Sequence, residues 1–191
     1  MPIVDSRRYV KVAEFRAAED AEYTVKGYAS TFDRYPLWDD MYERIERTAF
    51  DETDMTDVIM QYDHDGRVFA RNKNGSLRLG VDDHGLWIEA DLSKTDGSRK
   101  LWEDINAGLI TEMSFAFTIA EEHFERDTRT RVIDKIAKIY DVSAVSIPQN
   151  PYTQISARAF YDGVIEKENA ERVAAEEREK KINLLKLLLE V

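Results

Sequence analysis

The stretch Thr111–Phe117, TEMSFAF, decides how this chain is read. It places one serine, Ser114, inside an apolar run. Phe115, Phe117 and Ile119 recur at every second position, with Ser114, Ala116 and Thr118 between them. As a strand, this period of two sends the large apolar side chains to one face and the serine row to the other. Ser114 is then expected on a rigid element but outside the core, where a nucleophile can meet a substrate without shifting. The plainer reading is a strand with small residues on its second face, and the stretch alone does not separate the two.

Composition narrows the choices. At 191 residues the chain suits one domain, or one domain with an appendage. An apolar fraction of 43% is enough for a real core. The net charge of −11 argues against nucleic acid as a partner, since that needs clustered Lys and Arg. No cysteine is present, which excludes disulfides, a thiol nucleophile, a Cys-based zinc site and iron–sulfur clusters. The opening MPIVDSRRYVKV lacks the apolar core of a secretory signal, and no run approaches the roughly 20 apolar residues of a membrane helix. A soluble cytosolic protein with no membrane partner is expected. His64, His84 and His123 are the only histidines, so bases that work near neutral pH are few.

Working outward, Tyr9–Phe15 and Tyr23–Ala29 read as strands, and Phe32–Asp40, with Pro36, as a loop. Met41–Arg47 alternates and reads as a strand, followed by a short helical turn capped by Thr48. Asp57–Tyr62 is a further strand that ends in Asp63-His64-Asp65-Gly66, with Gly66 marking the turn. Ser76–Val81 and Leu86–Leu92 form a hairpin around Asp82-Asp83-His84-Gly85, with Gly85 expected at positive φ. Asp96–Ala107 is the best internal helix, capped by Asp96, with Leu101, Trp102 and Ile105 on one face and Gly108 just past its end. Val132–Ile147 returns beside the serine strand; within it IYDVSAVSI (Ile139–Ile147) is apolar on both faces except at Asp141, as a central strand would be.

These elements predict an α+β fold: a mainly antiparallel, barrel-like β core with flanking helices and a C-terminal amphipathic helix. Residues 1–157 make the β domain. Residues 158–191 make a charged helical extension whose end carries an apolar stripe, Ile182, Leu185 and Leu189 with Leu184, Leu188 and Val191. That stripe calls for a cover: the chain's own domain, a second copy, or another protein's helix. The extension allows for trimming from a longer precursor.

The order of these segments carries a resemblance. MQYDHD (Met60–Asp65), a helix, ITEMSFAF (Ile110–Phe117) and YDVSAVSIPQNPYT (Tyr140–Thr153) together resemble the capsid-maturation (prohead) serine proteases of tailed bacteriophages. GYAS-F (Gly27–Phe32) and GLWIEADLS (Gly85–Ser93) before the helix are also similar to that family. The resemblance runs from about Val10 to Ser156. A more distant similarity is to the herpesvirus assembly protease (assemblin), a β-barrel with flanking helices. The resemblance implies a serine endopeptidase that cleaves scaffold and capsid protein, and itself, in the assembling procapsid within the host cytoplasm. It implies Ser114 as nucleophile, His64 as general base and an acid on the Asp141 strand as third member. The herpesvirus relatives use a second histidine there, which makes His123 the alternative.

The residues agree in part. A serine hydroxyl is a weak nucleophile at neutral pH and needs a base within hydrogen-bond reach. Imidazole, which titrates at about 6.5 when unperturbed, suits that task. A third group must fix its tautomer and stabilise the imidazolium. Asp141 fits, because a lone carboxylate in a buried strand is otherwise costly; an ion pair with Arg or Lys would explain it equally well. Asp63 and Asp65 read as solvated turn residues. His84 reads as an exposed turn residue. His123 lies nine residues past Ser114, roughly 30 Å along a straight strand. Residues 142–150 are where oxyanion donors are sought, and Ser30–Asp40 is a candidate cleft wall. No cofactor or metal is called for. A metal-dependent hydrolase on Asp63, His64, Asp65, Asp82 and His84 is the weaker alternative, because no His-x-x-x-His or similar spacing occurs. A non-enzymatic scaffold protein acting through its C-terminal helix is the other.

Overall fold

The computed structural model describes residues 8–9, 12–13, 15–18, 22–38, 40–146 and 151–189. The chain divides into two compact units, Met1–Thr153 and Gln154–Val191.

The first unit is built on one long hairpin. β11 (Glu112–Glu125) runs antiparallel to β12 (Thr130–Val145), and Ser114 stands opposite Ser143 in the register. β1 (Arg8–Tyr9) and β2 (Val12–Ala13) pair with the other edge of β11. On its far side β12 takes two parallel partners in succession. β6 (Met41–Ile45) lies along Thr130–Ile133, and β7 (Ile59–Tyr62) lies along Asp141–Ala144. β5 (Tyr35–Trp38) and β8 (Asp65–Arg71) close the two ends as antiparallel partners of β6 and β7. A second sheet stacks β3 (Phe15–Ala17), β4 (Thr24–Thr31), β10 (Gly85–Asp91) and β9 (Leu77–Val81) in that order, all antiparallel.

Among the described residues the ladders therefore form an eight-stranded and a four-stranded sheet, and neither closes on itself. The α+β class and the mainly antiparallel pairing stand, with β6 and β7 as parallel partners of β12, and closure into a barrel is not seen. The core lies on the inner faces of both sheets, with Val25, Ala29, Leu86 and Ile88 in the same cluster as Met60, Met113, Phe115 and Val142. Phe115 and Phe117 share a face with stacked rings 4.4 Å apart. Burying each stabilises the fold by about 1.5–3 kcal/mol. α1 (Asp96–Asn106) adds Leu101 and Ile105 to this core and ends before Gly108, whose φ is 74°.

Several local expectations change. The cap of α1 is Thr95, whose hydroxyl accepts from Ser98 N–H at 3.1 Å, and not Asp96. Thr95 has extended backbone angles, which turn its side chain back onto the first free N–H groups, whereas Asp96 is already helical. The expected loop Phe32–Asp40 contains β5, an edge strand, and an edge leaves the missing N–H of Pro36 without a ladder partner to lose. Gly85 is not at positive φ. A Cβ there would lie 1.9 Å from the carbonyl oxygen of Ser30, so glycine is required by the close approach of β4.

The second unit is dominated by α2 (Pro151–Leu189), which begins ahead of residue 158. Proline suits a first helical position, where its missing N–H would have no partner. Residues 164–182 of α2 are mostly exposed, including Val173 and Ile182. The Leu-rich end from residue 184 onward lies outside the residues whose side chains are described.

Candidate active site

The centre of the eight-stranded sheet carries the polar residues that the sequence picks out. On β12, Asp141 and Ser143 point to the same face, since they are two residues apart and Ser143 Oγ donates to Asp141 Oδ1 at 2.7 Å. Ser114 is the direct cross-strand partner of Ser143, so its side chain joins that face. Directly opposed residues of an antiparallel pair have Cβ atoms about 5 Å apart, and diagonal neighbours such as Ser114 and Asp141 about 7–8 Å.

His64 reaches the same carboxylate from the other side. β7 runs beside β12 and ends at Tyr62, the partner of Ala144. The chain then reverses in a two-residue loop, Asp63-His64, before Asp65 pairs back with Tyr62. Both loop residues have positive φ, 49° and 59°, the signature of a type I′ hairpin turn. The turn is thus at Asp63-His64, two residues before the Gly66 that the sequence suggests. It carries the imidazole over the end of β7, and Nδ1 lies 2.6 Å from Asp141 Oδ1. A carboxylate only accepts, so Nδ1 holds the proton and the lone pair of the neutral ring sits on Nε2.

The site is well shielded. Ser114 is 4% exposed, and the His64 and Asp141 side chains 6% and 3%. This corrects the expectation that Ser114 stands outside the core. β11 is buried on both faces from Met113 to Phe117, and only beyond it does one side open to solvent. Asp141 is held by His64 and Ser143 and by no Arg or Lys among the described residues. Exclusion of water strengthens each of these contacts, because the local dielectric is low.

Other candidates lie elsewhere. His123 is on the distal half of β11, half exposed, with Nδ1 2.7 Å from Asp134 Oδ2. His84 sits in the β9–β10 turn against the Tyr28 ring, where Asp82 accepts from the His84 and Gly85 N–H groups and is held below the ordinary carboxylate range by them. Among the described residues no three His, Asp or Glu side chains gather as metal ligands would. The strand within Ser30–Asp40 pairs toward Thr130–Ile133, some eight residues or about 27 Å along β12 from Asp141, so it does not wall this site. Residues 142–146 belong to the site strand and its end, and residues 147–150 lie outside the described residues. A cleft of about 220 Å³ between β7–β8 and α1 is lined by Tyr62, Phe69 and Leu101, on the face of the sheet away from Asp141.

Sequence reasoning missed two groups. Asp63 is the exposed turn residue expected, but its carboxylate also accepts from Ser146 N–H at 2.8 Å. Ser143 is a partner of Asp141, and its position two residues along the same strand was the available signal.

A family model for the caudovirus prohead serine proteases matches residues 10–167. The chain belongs to that family. Membership supports a serine peptidase role in phage capsid maturation. No curated protein and no solved structure matches the chain. No helix among the described residues is long and apolar enough to cross a membrane.

Proposed function

We propose that this prohead protease cuts peptide bonds with Ser114 as nucleophile, His64 as general base and Asp141 as the acid that orients the imidazole. The observation that carries the reading is the 2.6 Å contact of His64 Nδ1 with Asp141, on the face that Ser114 shares from the neighbouring strand. His64 Nε2 takes the proton of the Ser114 hydroxyl as Oγ adds to the scissile carbonyl. The same nitrogen then returns the proton to the leaving amine, and an acyl-enzyme remains on Ser114. Asp141 stabilises the imidazolium between these two transfers. Water, deprotonated by His64, hydrolyses the ester and restores the free serine.

The substrates are scaffold and capsid proteins, and the protease itself, enclosed together in the procapsid in the host cytoplasm. Such concentrations favour cleavage between copies of the enzyme, and the segment at residues 158–191 is the part that can be removed without touching the β domain. That segment also associates with a second copy or a partner helix through its C-terminal stripe. Coexpression of the wild type, Ser114→Ala and His64→Ala with capsid and scaffold protein tests the reading. The expected result is specific fragments with the wild type only. Equal fragment patterns in all three would overturn it.

A scaffolding role for the helix has its own support, the long exposed face of α2 between residues 164 and 182. Deleting residues 160–191 should then reduce incorporation into particles while leaving peptide cleavage intact, whereas Ser114→Ala does the reverse.

A further inference from the structure

The loop that carries His64 holds a second carboxylate that peptide cleavage leaves without a task. Asp63 Oδ1 accepts from Ser146 N–H at 2.8 Å, and the Ser146 hydroxyl lies 3.1 Å from Oδ1 and 2.8 Å from Oδ2. The Asp63 N–H in turn donates to the Ala144 carbonyl at 2.9 Å, which extends the β7–β12 ladder by one rung. The hairpin tip is therefore tied by both backbone and side chain to the end of the strand that bears Asp141.

The tip needs such a tie. Asp63 and His64 are consecutive non-glycine residues at positive φ, a conformation that costs about 1–2 kcal/mol per residue. Strain of this kind persists only where the surroundings over-determine it. Apolar packing supplies little of that here: the His64 side chain is buried, but Asp63, Asp65, Gly66 and Arg67 around it are all exposed. A hairpin tip in water frays first, and a shift of about 1 Å in a reacting group can cost about 100-fold in rate.

We propose that Asp63 is a positioning residue for the general base, and that its grip on Ser146 sets where His64 stands. β12 and the residue just past its end then locate the imidazole twice, through Asp141 at the ring and through Ser146 at the backbone next to it. The proposal rests on the reading of His64 as base.

The test uses the full chain with Asp63→Gly, Asp63→Asn and Ser146→Ala, beside His64→Ala. Glycine accepts positive φ, so Asp63→Gly removes the carboxylate without adding strain. Asparagine keeps an acceptor oxygen and also suits the turn. The first readout is the low-field proton resonance of His64 Nδ1–H, well below the melting temperature. The second is the kcat and KM for cleavage of purified scaffold protein. Asp63→Gly should broaden or erase the resonance and lower kcat by about 100-fold with KM little changed. Asp63→Asn should recover kcat to within about threefold, and Ser146→Ala, which keeps its N–H, should fall between them. A sharp resonance and full kcat in Asp63→Gly, beside an inactive His64→Ala, would overturn the positioning role alone. An active His64→Ala would overturn the base assignment beneath it. Should Asp63→Gly fail to fold, Ser146→Ala decides: an unchanged resonance and rate refute the proposal, and a broadened resonance with slower kcat supports it.

Discussion

Ser143 gives its hydroxyl proton to the same oxygen of Asp141 that receives the imidazole N–H. The two donors converge on Oδ1 from one neighbouring position on β12 and from the tip of the adjacent hairpin. Two serines, Ser114 and Ser143, thus face each other across the β11–β12 ladder with different surroundings. The hydroxyl of Ser143 is committed to a carboxylate, which makes it a support for Asp141 and is consistent with the proposed nucleophile being Ser114.

Replacing Ser143 with alanine should therefore weaken catalysis without abolishing it. Hydrogen bonds to charged groups contribute about 1.5–3 kcal/mol, and if this passes wholly to the transition state kcat falls by about 10–100-fold. Single-turnover cleavage rates check this. Complete loss in Ser143→Ala together with residual turnover in Ser114→Ala would exchange the roles of the two serines.

Asp141→Asn should be far more damaging. The amide is nearly the same shape, so the fold should hold. Its NH₂ can face Nδ1 and hold the wrong tautomer of His64, and the expected loss in kcat is about 10³–10⁴-fold. Circular dichroism confirms the fold, and kcat decides the role.

His123→Ala should keep its rate within about twofold of wild type, because that ring lies on the exposed half of β11 and pairs with Asp134. A large loss of activity would return His123 to the site as third member.

Gly85→Ala should destabilise the β4–β10 pairing by about 3 kcal/mol or more, since the new methyl group would stand 1.9 Å from the Ser30 carbonyl oxygen. Gly80→Ala should cost less, because its nearest neighbour at 2.7 Å is the side chain of Trp87 and not backbone. Urea midpoints of the two variants give the comparison.

Stability should fall in acid through identifiable carboxylates. Arg71 and Lys73 hold Asp57 below its ordinary value, and Lys138 and Thr56 do the same for Asp54. Asp91 is pushed down to about 2, first by Lys94 and then by Ser93. A carboxylate whose folded pKa is depressed stabilises the fold fully above its unfolded value, about pH 4, and loses that contribution as pH falls toward the folded value. Urea midpoints at pH 6 and pH 3 should drop for the wild type. Asp57→Asn should start lower at pH 6 and drop less. An equal drop in both would remove Asp57 from this account.

How much was legible follows from the range of each interaction. Periodicity marked β11, and a carboxylate within an apolar run marked β12 and Asp141, because alternation and burial are properties of neighbours in sequence. The helix Asp96–Asn106 was visible for the same reason. β5 was not, because Pro36 reads as a breaker unless one knows that its strand has a free edge. The bond that Asp63 makes was not legible, because its partner, Ser146, is 83 residues away.

The amino-acid order by itself settled that the chain is an acidic, cysteine-free α+β protein, and which serine, histidines and aspartate were worth watching. Only the fold decided which of them meet. Strand register put Ser114 opposite Ser143, a two-residue turn at positive φ sent His64 onto Asp141, and the long hairpin kept His123 on its distal half. The physical reason is that a hydrogen bond of 2.6 Å depends on how β7, β11 and β12 lie against one another, and that alignment is set by packing between residues far apart in the chain.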